Sequence, residues 1–280
     1  MISGALRRFS RATPTLSTLM ESSSGSQRLR ALAQQLRLYK PPPSPPSSDD
    51  EEEEEQKRQE SARKVVSQLG FAESSAPNPH PPKFTPKRAA VLICLFEGDA
   101  GDLRVILTKR SRNLSTHSGE VALPGGKAEE GDADASATAM REAEEEIGLD
   151  PSLVAVVTVI EPFLSKHLLR VTPVIGILSD YKAFKPVLNT SEVEEIFDAP
   201  LEMFLKDENR RSGQREWMGT KYLVHYFDFE EQNKKYMIWG LTAGILIRAA
   251  SVVFQRPPLF EEQKPISKIR GSITRGDTMP

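Results

Sequence analysis

Apolar residues gather into short blocks from Ala89 onward, and their spacing changes character along the chain. Ala89 to Phe96 is an unbroken apolar run, the length of a strand buried on both faces. Gly98 to Asp102 is a turn, and Leu103 to Thr108 reads as the next strand. Val154 to Ile160 is rich in β-branched residues, and Val171 to Leu178 is a further strand beyond the connecting Leu164 to Arg170. Val193 to Phe197 carries two glutamates. Pro200-Leu201 leads into a short amphipathic stretch ending near Leu205, and Asp207 to Gly213 reads as charged loop. Tyr222 to Phe229 alternates as a strand does, and Tyr236 to Trp239 is predicted to pair with it across Glu230 to Lys235.

Between these strands the period becomes helical. Ala135 to Ile147 contains no helix breaker, and Ala139, Ala143 and Ile147 recur every four residues. Asp132 or Asp134 can cap its start, and Gly148 ends it where a left-handed residue is usual. Leu241 to Phe254 is apolar almost all round, too short to span a bilayer, and carries Arg248, so it is predicted as a buried core helix. Strands on both sides of one helix, with a second long helix at the end, imply an α/β layer fold.

The first third of the chain has a different texture. Hydrophobic residues make up only 38% of the 280 residues, low for a chain packed throughout. Pro41 to Pro46 is proline-rich and Asp49 to Glu55 is an unbroken acidic run, so Pro41 to Gln56 reads as a disordered linker. Short helices are expected over Ser26 to Tyr39, with Leu29, Leu32 and Leu36 on one side, and over Gln59 to Phe71. Pro77 to Pro86 is an extended lead-in. Met1 to Met20 holds Arg7, Arg8 and Arg11, several hydroxyl residues and no acid. That is the composition of an organelle transit peptide, and its arginines favour the mitochondrion. The alternative is a cytoplasmic form, with an internal start at Met20. The expected division is a transit peptide over 1–20, a mostly disordered linker with short helices over 21–86, a folded domain over 87–260 and a flexible tail over 261–280.

Charge and cysteine content exclude some roles. A net charge of −2 gives no reason to expect nucleic acid or an anionic membrane as partner. One cysteine, Cys94, excludes an internal disulfide and a multi-cysteine zinc site; within its apolar run it reads as a small buried hydrophobe. A homodimer is left open.

The chemistry concentrates in the Ala135 to Ile147 helix. Glu142 and Glu146 stand one above the other on it, with Glu145 beside them, while Glu144 points away. Like charges at this spacing repel, and a solvated acidic face is the plain reading. A divalent cation reverses the sign: hard oxygen ligands on one face suit Mg²⁺ or Mn²⁺ when substrate phosphates complete the shell. The Pro124-Gly125-Gly126 turn just upstream, and Arg141 directly before Glu142, favour this second reading.

The constellation resembles the Nudix box. Arg141-Glu142-Ala143-Glu144-Glu145-Glu146-Ile147-Gly148-Leu149 matches the second half of that pattern at every fixed position. The first half departs from it. The sixth residue after Gly126 is Asp132 rather than Glu, and eight residues rather than seven precede Arg141, which leaves the role of Asp132 open, a helix cap being one reading. Leu107-Thr108, Arg110-Ser111, Leu114, His117, Gly119-Glu120 and Leu123 to Gly126 are similar to the signature of the coenzyme A diphosphatase branch. So are Glu161-Pro162-Phe163, Glu194 to Phe197 and Trp239 to Thr242; the likeness is greatest to the plant enzymes of that branch.

The resemblance implies an αβα sandwich around a mixed β-sheet. It also implies metal-dependent hydrolysis of the diphosphate bond of coenzyme A or an acyl derivative, giving 3′,5′-ADP and 4′-phosphopantetheine. Glu142 and Glu146 would be the primary metal ligands, with Glu145 as ligand or base and the Gly126 carbonyl as a further ligand. Arg141 would orient a carboxylate. Arg110, His117 and Glu120 would face the substrate; Lys109 and Arg110 are adjacent on a strand, so only one of them can turn to the cleft. The alternatives are the same chemistry on NADH, ADP-ribose or an oxidised nucleoside triphosphate, and a non-catalytic nucleotide-binding module.

Overall fold

The computed structural model describes residues 26–42, 86–165, 167–217 and 220–262. The expected transit peptide, the acidic linker, the Gln59 to Phe71 helix, most of the proline lead-in and most of the tail lie outside the described residues.

A mixed sheet forms the middle layer. Its central strand, β1 (Lys87–Glu97), is flanked by antiparallel β2 (Leu103–Arg110) and parallel β7 (Leu169–Leu178). Short strands β3 (Val121–Ala122) and β4 (Gly125–Lys127) pair with β2 and β1 respectively. Strands β5 (Val154–Val159) and β6 (Phe163–Leu164) pair with β7, and β8 (Val193–Pro200) with β2. The apolar run of β1 is explained by its position. Ala90, Leu92, Cys94 and Phe96 pack on one side and Ala89, Ile93 and Leu95 on the other, because successive strand residues face opposite ways. Cys94 is fully buried and its thiol pKa is pushed up to about 12 by burial, in keeping with its reading as a hydrophobe.

Three helices cover the sheet among the described residues: α1 (Gln27–Arg37), α2 (Ala135–Ile147) and α3 (Gly240–Phe254). Ala139, Met140, Ala143 and Ile147 of α2 seal one face, while α3 and α1 close the other, completing the expected αβα sandwich. No helix of the described residues is long and apolar enough to cross a membrane.

Two expectations are corrected. The Ser26 to Tyr39 helix forms, but it is not a linker element. Leu29, Ala33 and Leu36 of α1 are fully buried in the core shared with α3 and β5. Gln35 Nε2 donates to the Val253 carbonyl at 3.0 Å, and Arg28 donates to the Gly101 carbonyl. Tyr39 Oη donates to Glu161 Oε2 at 2.8 Å, and Glu161 is ion-paired to Arg248 of α3. The apolar spacing alone showed a helix and could not show its partner, because a prolonged polar stretch separates it from the domain in sequence. The second correction concerns Asp207 to Gly213. Strand β9 (Arg210–Trp217) begins within it and pairs along β10 (Thr220–Glu231). Tertiary pairing overrides the polar composition, and Arg211 stacks over the Tyr226 ring, 4.9 Å from its centroid. The hairpin from β10 to β11 (Lys234–Trp239) turns through Gln232 and Asn233, both at positive φ, as a tight two-residue hairpin turn requires.

Candidate active site

The ends of α2 explain where its glutamates sit. Asp134 is the N-cap, accepting from the Ala137 N–H at 2.8 Å, and left-handed Gly148 (φ 68°) closes the helix. Beyond it, the Val187 and Asn189 N–H groups donate to the Ile147 and Glu146 carbonyls, each at 3.0 Å. Those bonds fold the 187–193 segment back across the helix end.

Of the clustered acids, Glu146 is buried, Glu142 is partly buried, and Glu144 and Glu145 are exposed. Glu146 Oε2 accepts from the Gly125 N–H at 3.1 Å, and its Oε1 lies 3.8 Å from the Arg110 guanidinium. Burial pushes the Glu146 pKa up to about 7, against the opposing pull of the Gly125 N–H and Arg110. Burial raises Glu142 as well.

The glycine turn is shaped to this pair. A Cβ at Gly126 would overlap the Glu142 carboxyl, which would then have to move, so glycine lets the β4 backbone and this carboxyl lie together as they do. Gly125 has φ 152°, and a Cβ there would meet the Ala90 carbonyl of β1.

Arg141 is fully engaged. Its Nε and Nη2 donate to the two Asp132 oxygens, both at 3.1 Å, and its Nη1 reaches Glu142 at 3.1 Å and Glu145 at 3.0 Å. Asp132 also accepts from the Glu129 N–H and the Thr138 hydroxyl, each at 2.9 Å. Its pKa falls to about 2, chiefly through the Arg141 hydrogen bonds. Asp134, not Asp132, caps the helix; Asp132 instead anchors the arginine that holds Glu142 and Glu145.

Of the adjacent pair on β2, Arg110 faces the carboxylates, and Lys109 instead pairs with Glu194 at 2.9 Å. Adjacent strand residues face opposite ways, and the β2–β8 register shift here leaves Glu194 of β8 as the extra residue that Lys109 meets. Arg110 Nε is buried without a hydrogen-bond partner among the described residues, which suits an incoming anion. His117 and Glu120 occupy the β2–β3 loop, which is tied to Arg110 by the bonds Arg110 N–H to Glu120 carbonyl (2.9 Å) and Gly119 N–H to Arg110 carbonyl (3.2 Å).

Two residues were missed by sequence reasoning. Glu192 lies close enough to raise the pKa of both Glu142 and Glu146. No spacing rule reaches it, since the Asn189 turn that places it is set by the end of α2; its N–H donates to the Asn189 carbonyl at 2.9 Å. His167, on the β6–β7 turn, touches His117.

Among the described residues, no three His, Cys, Asp or Glu side chains gather into a ready-made metal cage. Two carboxylates one helical turn apart, with a glycine backbone against one of them, fit a hard dication that draws its remaining ligands from substrate and water, and the unpartnered Arg110 Nε suits the anionic part of such a substrate.

Comparison with known proteins identifies the family. The NUDIX domain model matches residues 86–232. The chain is 74% identical over 207 residues to "Nudix hydrolase 15, mitochondrial" of Arabidopsis thaliana, covering 74% of this chain and 73% of that protein. It is 65% identical over 256 residues to "Nudix hydrolase 22, chloroplastic" of the same plant, covering 91% and 82%. It is 36% identical over 163 residues to "Peroxisomal coenzyme A diphosphatase NUDT7" of Mus musculus, covering 58% and 68%. The chain belongs to the Nudix hydrolase family, and its likeness to the mouse enzyme is consistent with the coenzyme A diphosphatase branch.

Proposed function

We propose that this protein hydrolyses the diphosphate bond of coenzyme A or an acyl-coenzyme A, releasing 3′,5′-ADP and the (acyl-)4′-phosphopantetheine. The observation that carries the reading is the stacked pair, Glu142 against the Gly126 backbone and Glu146 bonded to the Gly125 N–H, with Arg110 beside Glu146. Glu142, Glu146 and the Gly126 carbonyl would hold Mg²⁺ or Mn²⁺, with Glu145 as ligand or base. Such a cation neutralises diphosphate charge and acidifies bound water.

The protein groups do the rest. Arg110 offers its unpaired Nε–H to a phosphate oxygen. Glu145 is exposed enough to swing from Arg141 to a water. Arg141, pinned by Asp132, keeps Glu142 in place. His117 and Glu120 flank the entrance and contact the nucleotide portion. The similarity to the mouse coenzyme A diphosphatase supports this substrate class. A mitochondrial location fits the arginine-rich leading segment and the name of one plant relative; the chloroplastic name of the other marks the alternative.

Mass spectrometry of products from coenzyme A, acetyl-coenzyme A, NADH and ADP-ribose, with Mg²⁺ or Mn²⁺, tests the reading. 3′,5′-ADP is expected from the coenzyme A substrates at the highest kcat/KM. Preference for NADH, ADP-ribose or a nucleoside triphosphate would reject it.

A further inference from the structure

The β2–β3 loop and the β6–β7 turn meet through two histidines. His117 Nε2 lies 3.2 Å from His167 Nε2, with the rings at 86° to one another. The other nitrogen of His117, Nδ1, is 2.8 Å from Glu120 Oε2. Both histidines sit on braced backbone. His117 is left-handed (φ 56°), and its carbonyl accepts the Glu120 N–H at 3.2 Å. The turn bearing His167 is closed by the bonds Ser165 N–H to Leu169 carbonyl and Leu168 N–H to Ser165 carbonyl, each at 2.9 Å.

Two imidazole nitrogens bound to one tetrahedral zinc, each at about 2.0–2.1 Å, stand about 3.3 Å apart. The Nε2 pair already has that separation. A metal-binding histidine usually gives its second nitrogen to a carboxylate, which fixes the tautomer and strengthens the ligand. Glu120 stands in that place. Imidazole favours zinc-class cations over Mg²⁺, whereas the carboxylates of α2 favour the reverse.

We propose that His117 and His167 form a two-imidazole site for a borderline divalent cation of the zinc class, separate from the Glu142 and Glu146 pair, with Glu120 supporting His117. Two protein ligands leave positions for water or an anionic oxygen. Occupancy pins the two loops to one another, and one of them is bonded to the backbone of Arg110. The site does not depend on which diphosphate the enzyme cleaves.

Zn²⁺ titration of the tag-free full chain under excess Mg²⁺, followed by calorimetry, tests it. One Zn²⁺ is expected to bind the wild type, and His167→Asn is expected to lose that binding while keeping its melting temperature and Mg²⁺-dependent turnover. Glu120→Gln is expected to weaken binding about 10–100-fold. Co²⁺ in place of Zn²⁺ should give visible absorption bands that His167→Asn abolishes. A wild type that binds no Zn²⁺ under Mg²⁺, or a His167→Asn chain that binds it equally well, would overturn the proposal and leave the histidines as a hydrogen-bonded pair.

Discussion

Helices α1 and α2 are similar in length and both are amphipathic, yet they bury opposite kinds of residue. Helix α1 puts Leu29, Ala33 and Leu36 into the core and leaves Gln27, Arg28, Gln34 and Arg37 to water. Helix α2 buries Ala139, Ala143 and Ile147, but also Glu146, a carboxyl whose charged form is disfavoured there. The first helix follows the rule that apolar burial stabilises, at about 1.5–3 kcal/mol for each large side chain. The second departs from it most at Glu146, its one buried ionisable residue, and that departure falls at the proposed site. Loss of fold and loss of chemistry should therefore separate cleanly between the two helices.

The largest expected effect is at Glu146. Glu146→Gln should lower kcat by on the order of 10³-fold or more at saturating Mg²⁺, the scale of removing a central electrostatic group. The melting temperature should stay level or rise, because a buried charge is removed without loss of shape. Full turnover in this variant would reject the site assignment. Next comes Leu36→Ala on α1, expected to cost about 2–5 kcal/mol in denaturant unfolding, with kcat unaltered where the variant is folded. An unchanged midpoint would show that α1 is not part of the cooperative core.

Asp132→Asn comes third, at about 1.5–3 kcal/mol for hydrogen bonds to a charged partner. The folded pKa of Asp132 is depressed to about 2, so its contribution is full above the unfolded value near 3.8 and fades as pH falls through the folded one. The gap between wild type and variant should accordingly narrow below about pH 4. Glu144→Gln, on the exposed side of α2, should change stability by no more than about 0.5 kcal/mol and leave kcat alone.

The sequence was legible where the physics is local. The four-residue spacing of Ala139, Ala143 and Ile147, the capping acids and Gly148 define α2, and the same spacing orders its glutamates. The unbroken run in β1 reports a strand covered on both faces. What stayed hidden depends on contacts between distant segments. The seat of α1 against Val253 and Glu161 is one case, and the pairing that makes Arg210 to Trp217 a strand is another. Glu192 and His167 belong with these, since the first is brought near Glu142 and Glu146, and the second to His117, by turns whose positions are fixed elsewhere. The role of Asp132 stayed open for a related reason: its spacing from Gly126 differs from the family pattern, and its pairing with Arg141 is a matter of geometry, which spacing does not record.

The seat of α1 carries a consequence for how a shorter form of this protein can arise. Ser26 caps the helix through the Arg28 N–H, and Leu29 follows three residues later as the first residue of its buried face. Were the arginine-rich leader removed, a cut upstream of Ser26 would leave that cap and the buried face intact. Translation from Met20 would respect that boundary. Were the chain cut between α1 and β1, α1 would be held to α3 by its packing alone, its loss governed by dissociation and not by the cut.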